Sequence, residues 1–323
     1  MKNILVIGGG AMGSAFTIPC IENKNTVSIT EPYSKKFIKD LSSKKKFHSS
    51  LQIKLPKKLI YRNFSNNLLR EKFDLIVIAL SLSGIDFIGK ELRNLKIKTP
   101  ILVLTKGLKF EKKINKILTI SEQLKKNYKG INISVLKGPC LAKELARKNQ
   151  TSVIIANKNI KIARWIGKQI STKYYLIEYS RDIIGVEVCS AIKNIYAMII
   201  GAGQSLNTSS SLFQKSMIEM KYLTKYFGGK EETTLGLAGL GDLYVSVKGG
   251  RNSKMGSYLG KGFTFKNAKK KFMHKDTIEG EQLAREISPY ILKKINKKKV
   301  PLMINLIKII LNNKKLKLIR IFN

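Results

Sequence analysis

A short apolar run followed by a glycine turn opens the chain: Lys2-Asn-Ile-Leu-Val-Ile-Gly8-Gly-Gly10-Ala-Met-Gly13-Ser-Ala15. The apolar residues predict a buried strand, and the residues after the turn predict a helix. In the pattern Gly-x-Gly-x-x-Gly, the first glycine permits a tight turn and the second lets the backbone approach a pyrophosphate. The third allows close packing of the helix on the strand. This stretch therefore predicts a dinucleotide-binding βαβ unit, with an ordinary glycine turn as the alternative.

The next strand supports the dinucleotide interpretation. Thr26-Val-Ser-Ile-Thr30 ends at Glu31, at the distance from the glycines where an acid can accept hydrogen bonds from an adenine ribose. A carboxylate there repels a 2′-phosphate, so Glu31 favours NAD. Lys35 and Lys36 keep NADP open as the alternative.

Three further apolar segments continue the alternation of strands and helices: Phe73-Asp-Leu-Ile-Val-Ile-Ala79, Thr99-Pro-Ile-Leu-Val-Leu-Thr105 and Ile131-Asn-Ile-Ser-Val-Leu136. Each is apolar enough for a strand buried on both faces, which predicts a doubly wound parallel sheet. After Asp182 the alternation stops and helical patterns dominate. We therefore expect an α/β fold, with a Rossmann-type dinucleotide-binding domain at 1–180 and an all-helical substrate and catalytic domain at 181–323.

The composition predicts a soluble cytoplasmic protein. The 323 residues are 43% hydrophobic, no uninterrupted apolar run approaches the roughly 18 residues that span a membrane, and no cleavable signal pattern is present. Only 9 of the 61 basic residues are arginine, so the net charge of +40 resembles a compositional lysine bias more than a base-reading surface. We expect neither nucleic acid nor stable membrane insertion. Three distant cysteines predict no disulfide and no metal site.

One lysine stands apart from the solvated lysine runs. Lys193 lies alone in the apolar segment 182–203. If this segment is a helix, Glu187, Ser190, Lys193 and Asn194 share about a third of its circumference. A buried ammonium is costly unless it is paired, and its pKa shifts easily, so such a lysine suits proton transfer or anion binding. A lysine that snorkels from the helix edge is the alternative.

Other candidates lie where predicted strands end. Lys106 follows one strand in Thr105-Lys-Gly107, and Gly138 and Cys140 follow the next. Ligands of doubly wound sheets bind beyond the carboxyl ends of the strands. Lys106 is therefore a candidate site residue, with a surface lysine as an equally good interpretation.

The carboxyl-terminal half adds one acid and one anion-binding pattern. Asp242 ends the glycine-rich turn Thr234-Leu-Gly-Leu-Ala-Gly-Leu-Gly-Asp242, and Arg251 and Asn252 follow Gly250. An arginine beside a helix start can bind a phosphate together with backbone N–H groups. A helix cap is the alternative for Asp242, and a surface arginine is the alternative for Arg251.

Several motifs in a fixed order now support a family resemblance: 8–15, 105–107, 138–139 with Ala142 and Glu144, 182–201 with Lys193-Asn194, 236–243, Arg251-Asn252 and 278–280. Over essentially its whole length the chain resembles the NAD(P)-dependent glycerol-3-phosphate dehydrogenases of the bacterial cytoplasmic type. The resemblance implies reversible hydride transfer between NAD(P)H and dihydroxyacetone phosphate, giving sn-glycerol 3-phosphate for phospholipid synthesis.

The resemblance also implies roles for three catalytic residues. His48 and His274 are the two histidines of the chain and neither lies in a motif, so a lysine is left to carry the proton. Lys193 looks like that general acid. Lys106 is similar to the family's second active-site lysine, which would polarise or position the substrate oxygen. Asp242 would orient a lysine or accept a substrate hydroxyl.

The motifs and the resemblance together give two sets of binding residues. The cofactor set comprises Gly8, Gly10, Ala11, Met12, Gly13, Glu31, Lys106, Ala142, Arg251 and Glu279. The substrate set comprises Lys106, Gly138, Cys140, Lys193, Asp242, Gly250, Arg251 and Asn252. The expected partner is a small phosphorylated molecule, with NAD or NADP as cofactor, and a homodimer is a further expectation.

The chain departs from the family pattern at several of these positions. Met12 replaces a usual aromatic, Cys140 replaces a serine, and Gly250 replaces a serine in a slightly short loop after Asp242. None of these changes removes a charged catalytic group, so we expect activity with altered affinity. The alternatives are another dehydrogenase with a helical second domain, of the ketopantoate or 6-phosphogluconate type, and a noncatalytic basic protein that binds nucleic acid or a membrane surface.

Overall fold

The computed structural model describes residues 1–43, 46–126 and 130–317, which form two compact units. The first unit comprises Met1–Lys106 and Ile120–Ile183. The second comprises Gly107–Thr119 and Ile184–Asn323. The chain therefore passes between the units near residue 183, and a short excursion at 107–119 also belongs to the second unit.

Twelve strands lie in the described part of the chain. They are β1 Asn3–Ile7, β2 Thr26–Thr30, β3 Phe47–His48, β4 Ile53–Lys54, β5 Ile60–Tyr61, β6 Leu75–Ile78, β7 Ile101–Val103, β8 Leu108–Glu111, β9 Lys116–Thr119, β10 Ile133–Lys137, β11 Thr151–Ala156 and β12 Tyr175–Ser180. Eight of them form one sheet in the order β12-β11-β10-β7-β6-β1-β2-β5. The pairs β3-β4 and β8-β9 form two separate hairpins.

The helices follow in the same numbering. They are α1 Ala11–Glu22, α2 Lys35–Ser42, α3 Asn66–Arg70, α4 Gly84–Asn94, α5 Ile120–Lys125, α6 Ala142–Ala146, α7 Ile160–Ile170, α8 Ile183–Gly201, α9 Leu206–Tyr226, α10 Asp242–Gly249, α11 Arg251–Gly260, α12 Phe265–Phe272, α13 Glu279–Lys294 and α14 Pro301–Asn312. A π-helical turn, Leu237–Gly241, leads into α10.

The sheet is the doubly wound sheet that the sequence predicts, and the predicted fold class is confirmed. β1 lies between β2 and β6 and pairs in parallel with both. Its residues Ile4 to Ile7 are fully buried, as expected for a strand covered on both faces. Because the chain runs outward on one side of β1 and then returns to the other, the switch point of the sheet lies at the end of β1.

The sheet is not wholly parallel, and in this respect the sequence prediction was incomplete. β11 pairs antiparallel with β10, and β12 runs parallel to β11. The segment between β10 and β11 is short and contains only the five-residue helix α6. The helix of a parallel crossover must return the chain along the sheet, and a helix of five residues spans only about 7.5 Å, so this connection favours the antiparallel pairing.

The second unit is helical apart from the β8-β9 hairpin at 108–119. This hairpin packs on α13, where the Phe110 amide donates to Glu286 at 2.9 Å and the Phe110 and Tyr290 rings lie 6.2 Å apart. α8 is long and apolar enough to cross a membrane by length and composition, with a mean hydropathy of 1.7. The 18-residue stretch of α8 that has this hydropathy is 94% buried inside the structure, as in a core helix.

Candidate active site

The glycine turn after β1 has the geometry that the motif predicts. Gly8 adopts a φ of +118°, and a Cβ there would lie 2.5 Å from the Ala79 carbonyl oxygen at the end of β6. A Cβ at Gly13 would lie 2.0 Å from the Gly8 oxygen, so α1 approaches β1 closely. At Gly10, by contrast, a Cβ would meet no atom within 4 Å. The turn therefore packs tightly against the sheet but leaves space at Gly10. This is where the motif predicts that the protein backbone contacts a ligand.

Glu31 faces the same turn from the end of β2. Its Oε2 accepts from the Gly9 amide at 2.9 Å, and its Oε1 accepts from the Tyr33 amide at 3.1 Å. Each carboxylate oxygen retains a lone pair for a ribose hydroxyl. Lys36 is exposed on α2, and the side chain of Lys35 lies outside the described part of the chain.

The start of α1 also suits an anionic ligand. Ala11 and Met12 form its first turn and are half-buried. No acidic residue occurs in that turn, and no side chain caps it. The open N–H groups and the positive end of the helix dipole therefore fit the diphosphate of a dinucleotide.

Two other strand ends of the first unit carry predicted site residues. Lys106 follows β7 and is half-buried, as is Cys140 beyond β10. Gly138 adopts a φ of +128°, which explains why glycine stands between the strand and Pro139. Lys137, which no motif indicated, is 2% exposed, and its Nζ donates to the Val103 and Thr105 carbonyls at 3.1 and 2.7 Å. It thereby ties down the backbone that precedes Lys106.

Lys193 of α8 is buried in the second unit at 5% exposure. Its Nζ donates to Asp242 Oδ1 at 2.6 Å and also to Ser246 Oγ. Asp242 is 2% exposed, so the two charges are paired away from solvent. A snorkelling lysine therefore does not describe this position, and the cost of burying the ammonium is offset by a carboxylate and a hydroxyl.

Ser246 is the partner that sequence reasoning missed. Asp242 and Ser246 are four residues apart on α10, which places both side chains on one face of the helix. This spacing is readable from the sequence once α10 is known to begin at Asp242. The glycine-rich turn concealed that start, because it forms a π-helical segment rather than a loop.

A hydrogen-bonded chain lies next to Lys193. Asn194 Nδ2 donates to Glu279 Oε2 at 3.1 Å, and Asn194 Oδ1 accepts from Asn252 Nδ2 at 3.1 Å. Asn252 Oδ1 accepts from the Gly280 amide at 2.8 Å. Asn252 is 7% exposed and ties the start of α11 to the start of α13.

Arg251 differs from its neighbour because its side chain is 54% exposed. Its Nη2 lies 3.6 Å from Glu279 Oε1, so the guanidinium lies beside a carboxylate while it remains accessible.

The site residues that were predicted from the sequence fall into two groups. Lys193, Asp242, Arg251 and Asn252 lie in the second unit with Gly250 and Glu279, whereas Lys106, Gly138, Cys140, Ala142 and the glycine turn lie in the first.

The departure at Gly250 has a structural reason. Gly250 alone separates α10 from α11, and a Cβ there would lie 2.4 Å from the Ser246 carbonyl oxygen. The short loop therefore explains the missing serine, since the shortened connection leaves space only for glycine.

In the described part of the chain, no group of three His, Cys, Asp or Glu side chains is placed to hold a metal ion.

The glycine turn at a sheet switch point and the buried lysine–aspartate pair are the features of a nicotinamide-dependent dehydrogenase with a helical second unit. Comparison with known families narrows this class. Residues 3–163 match the model of the NAD-dependent glycerol-3-phosphate dehydrogenase N-terminus, and residues 182–320 match that of the C-terminus. The chain belongs to the NAD-dependent glycerol-3-phosphate dehydrogenase family, as its motifs predicted.

Individual relatives agree with the family match. The chain is 32% identical over 279 residues to a glycerol-3-phosphate dehydrogenase [NAD(P)+] of Clostridium botulinum, covering 83% of this chain and 82% of the relative. It is 29% identical over 301 residues to an NADP(+)-dependent glycerol-3-phosphate dehydrogenase of Archaeoglobus fulgidus, covering 88% of each. The crystal structure of a Coxiella burnetii glycerol-3-phosphate dehydrogenase shares the fold, with a TM-score of 0.85 and 24% identity over 97% of this chain and 96% of that one.

Proposed function

We propose that the chain catalyses the reversible reduction of dihydroxyacetone phosphate to sn-glycerol 3-phosphate with NAD(P)H. The observation that carries this proposal is the buried Lys193–Asp242 pair in a chain of the glycerol-3-phosphate dehydrogenase family. A nicotinamide cofactor, when bound, would supply or accept the hydride. Residues of this protein would carry out the remaining tasks, which are proton transfer, orientation of the ketone and recognition of the phosphate.

Lys193 is the proton donor in the direction of reduction. A ketone oxygen that gains negative charge needs an acid close by, and a positioned ammonium both stabilises that charge and delivers the proton. Asp242 and Ser246 hold the Nζ in place through their hydrogen bonds, which supports a fixed direction of delivery. In the reverse direction the neutral amine takes the proton back. Lys106 is the second lysine of the proposal, and it polarises or positions the substrate oxygen.

Arg251 and Asn252 are the proposed phosphate residues, together with the backbone at Gly250. The exposed guanidinium suits a bidentate contact with phosphate oxygens, and its ion pair with Glu279 is long enough to exchange. Asn252 Nδ2 has a second N–H beyond the one that Asn194 accepts. The proposed substrate contacts at Gly138 and Cys140, and the proposed cofactor contacts at Ala142 and Glu279, follow from the family resemblance.

NAD is the preferred cofactor in this proposal, because Glu31 stands where a 2′-phosphate would be repelled. We place the enzyme in the cytoplasm as a soluble homodimer, where its product supplies the backbone of glycerophospholipids. Residues 1–180 would form the dinucleotide-binding domain and residues 181–323 the substrate domain.

The direct test is a substrate panel followed by nicotinamide absorbance. Dihydroxyacetone phosphate should oxidise NADH, whereas ketopantoate should not. 6-Phosphogluconate should likewise fail to reduce NAD or NADP. Absence of turnover with dihydroxyacetone phosphate and either cofactor would contradict the proposal. The preference for NAD over NADP that we attribute to Glu31 is tested separately. This test compares kcat/KM for NADH and NADPH in the native chain and in Glu31→Gln.

A further inference from the structure

His48 is a buried histidine with no role in the proposed reaction. It lies at the end of β3 in the first unit and is 2% exposed. No sequence motif surrounds it. In the structure its imidazole ring contacts the glycine turn, because Nε2 lies 3.2 Å from the Gly9 carbonyl oxygen.

The contacts of the ring define which nitrogen carries the hydrogen. The Leu51 amide donates to Nδ1 at 3.3 Å, so Nδ1 is an acceptor. Burial lowers the pKa of His48 and so favours the neutral ring. A neutral imidazole has one N–H, which must then be on Nε2, and Nε2–H donates to Gly9.

Gly9 is held from several directions. Its amide donates to Glu31 Oε2 at 2.9 Å, and its carbonyl oxygen also accepts from Ser14 Oγ at 2.7 Å. A Cβ at Gly9 would lie 2.7 Å from the Phe37 ring, which in turn packs edge-on against the His48 ring at 5.8 Å between centroids. The backbone at Gly9 is therefore fixed by side chains from α1, α2, β3 and the end of β2.

We propose that His48 is a positioning residue for the dinucleotide, which fixes the Gly9–Gly10 peptide plane so that the Gly10 N–H is held ready to donate to a diphosphate. The Gly9 carbonyl and the Gly10 N–H belong to one peptide group, which is trans here. In a planar trans peptide these two groups point in opposite directions. A bond that holds the Gly9 oxygen toward His48 therefore directs the Gly10 N–H away from it. This inference rests on the proposed use of NAD or NADP.

Two conservative substitutions distinguish the contact of His48 with Gly9 from its contact with Leu51. In His48→Gln the carboxamide nitrogen can take the position of Nε2 and donate to Gly9, whereas the contact with Leu51 is lost. In His48→Asn the shorter carboxamide can accept from Leu51 in place of Nδ1 but does not reach Gly9. If His48 acts through the glycine turn, Gln should preserve dinucleotide binding and Asn should not.

The readout is the NADH dissociation constant, measured by nicotinamide fluorescence with the full chain. We expect His48→Asn to raise it roughly fivefold to tenfold, as for loss of one hydrogen bond, and His48→Gln to stay within about twofold. With saturating NADH, kcat should remain within about twofold in both variants, because neither touches the substrate site. Equal affinities of the two variants, or weaker binding by His48→Gln than by His48→Asn, would overturn the proposal. His274, which is exposed, gives matched control substitutions that should leave binding unchanged.

A second measurement tests the contact between His48 and Gly9 without a dinucleotide, so that its failure can be told apart from failure of the proposed function. ¹⁵N NMR of the imidazole rings in the unliganded native chain should show His48 as the neutral Nε2–H tautomer at neutral pH, with His274 as the exposed reference. An Nδ1–H tautomer or a charged ring would overturn the proposal. If the native chain bound neither NADH nor NADPH, the proposed function would fail, and the tautomer would still report on the contact with Gly9.

Discussion

At the scale of single residues, Lys193 and Arg251, the two cationic side chains of the second unit that belong to the proposed site, have opposite environments. Lys193 is 5% exposed and fixed by Asp242, whereas the Arg251 side chain is 54% exposed beside Glu279. A buried paired ammonium is suited to a proton transfer that needs one geometry. An exposed guanidinium is suited to capturing a soluble phosphate, because it can leave one carboxylate for a doubly charged anion.

Replacing Arg251 should therefore affect substrate binding more than the chemical step. We expect Arg251→Ala to raise the KM for dihydroxyacetone phosphate by about tenfold or more, as for loss of a charge-assisted hydrogen bond, with a smaller change in kcat. Steady-state kinetics at saturating NADH measure both constants.

The matched control for that experiment is Arg285→Ala. Arg285 is also a partly exposed arginine in an ion pair with a glutamate, Glu281, on α13. Its loss should leave KM unchanged. A KM of Arg251→Ala equal to that of this control would remove the phosphate contact from the account.

At the scale of elements, the connection between α10 and α11 determines how the partners of Lys193 lie relative to the start of α11. α10 carries Asp242 and Ser246, and α11 begins with Arg251 after the single residue Gly250. A displacement of this connection would therefore move the partners of Lys193 and the proposed phosphate residues together.

Two adjacent glycines test this connection. A Cβ at Gly250 would lie 2.4 Å from the Ser246 carbonyl oxygen, whereas a Cβ at Gly249 would meet no atom within 4 Å outside the backbone of its own helix. We expect Gly250→Ala to lower the thermal midpoint and kcat/KM together, with a destabilisation of about 1–3 kcal/mol. Gly249→Ala should lower neither property, because alanine is the better helix former. Equal effects of the two substitutions, measured by thermal denaturation and steady-state kinetics, would show that the connection is not tight.

Elements that are defined by a local sequence pattern were predictable from the sequence. Elements whose place depends on contacts with residues far along the chain were not. The strand Thr26–Thr30 agrees with its predicted limits because both its burial and its terminal acid are local features. The β8-β9 hairpin was not predicted, since its place in the second unit depends on contacts with α13 far along the chain. Ser246 was missed for a similar reason, because its role depends on Lys193, which lies on another helix.

At the scale of the whole molecule, a buried carboxylate links three helices of the second unit. Glu219 of α9 is 3% exposed and accepts from Tyr196 of α8 at 2.9 Å. It also accepts from the Leu302 and Met303 amides, at 2.6 and 3.1 Å, at the start of α14. Burial raises the pKa of Glu219 to about 7 from its ordinary value of 4.5, although the amide hydrogen bonds oppose this shift.

This carboxylate makes stability depend on pH. Because the folded pKa lies above the unfolded one, the folded chain binds more protons between pH 4.5 and 7, and the free energy of unfolding falls as pH rises through this range. The contribution is on the order of 3 kcal/mol and is fully present below pH 4.5. Chemical denaturation at pH 5 and pH 7.5, followed by circular dichroism, measures it.

Glu219→Gln should remove this part of the pH dependence, because glutamine cannot ionise. Glu232→Gln, at an exposed acid of the same unit, should leave it intact. If the free energy of unfolding of Glu219→Gln still differed between the two pH values by the native amount, Glu219 would not be the group responsible.

The central claim is that Lys193, held by Asp242, carries the proton in ketone reduction, and Lys193→Ala tests it most directly. With saturating NADH and dihydroxyacetone phosphate, we expect kcat to fall by roughly 10²-fold or more, as for loss of a positioned general acid. The NADH dissociation constant should stay nearly unchanged, and Lys254→Ala, at an exposed lysine of α11, should have normal kcat. A Lys193→Ala variant that retains near-normal kcat would contradict the claim.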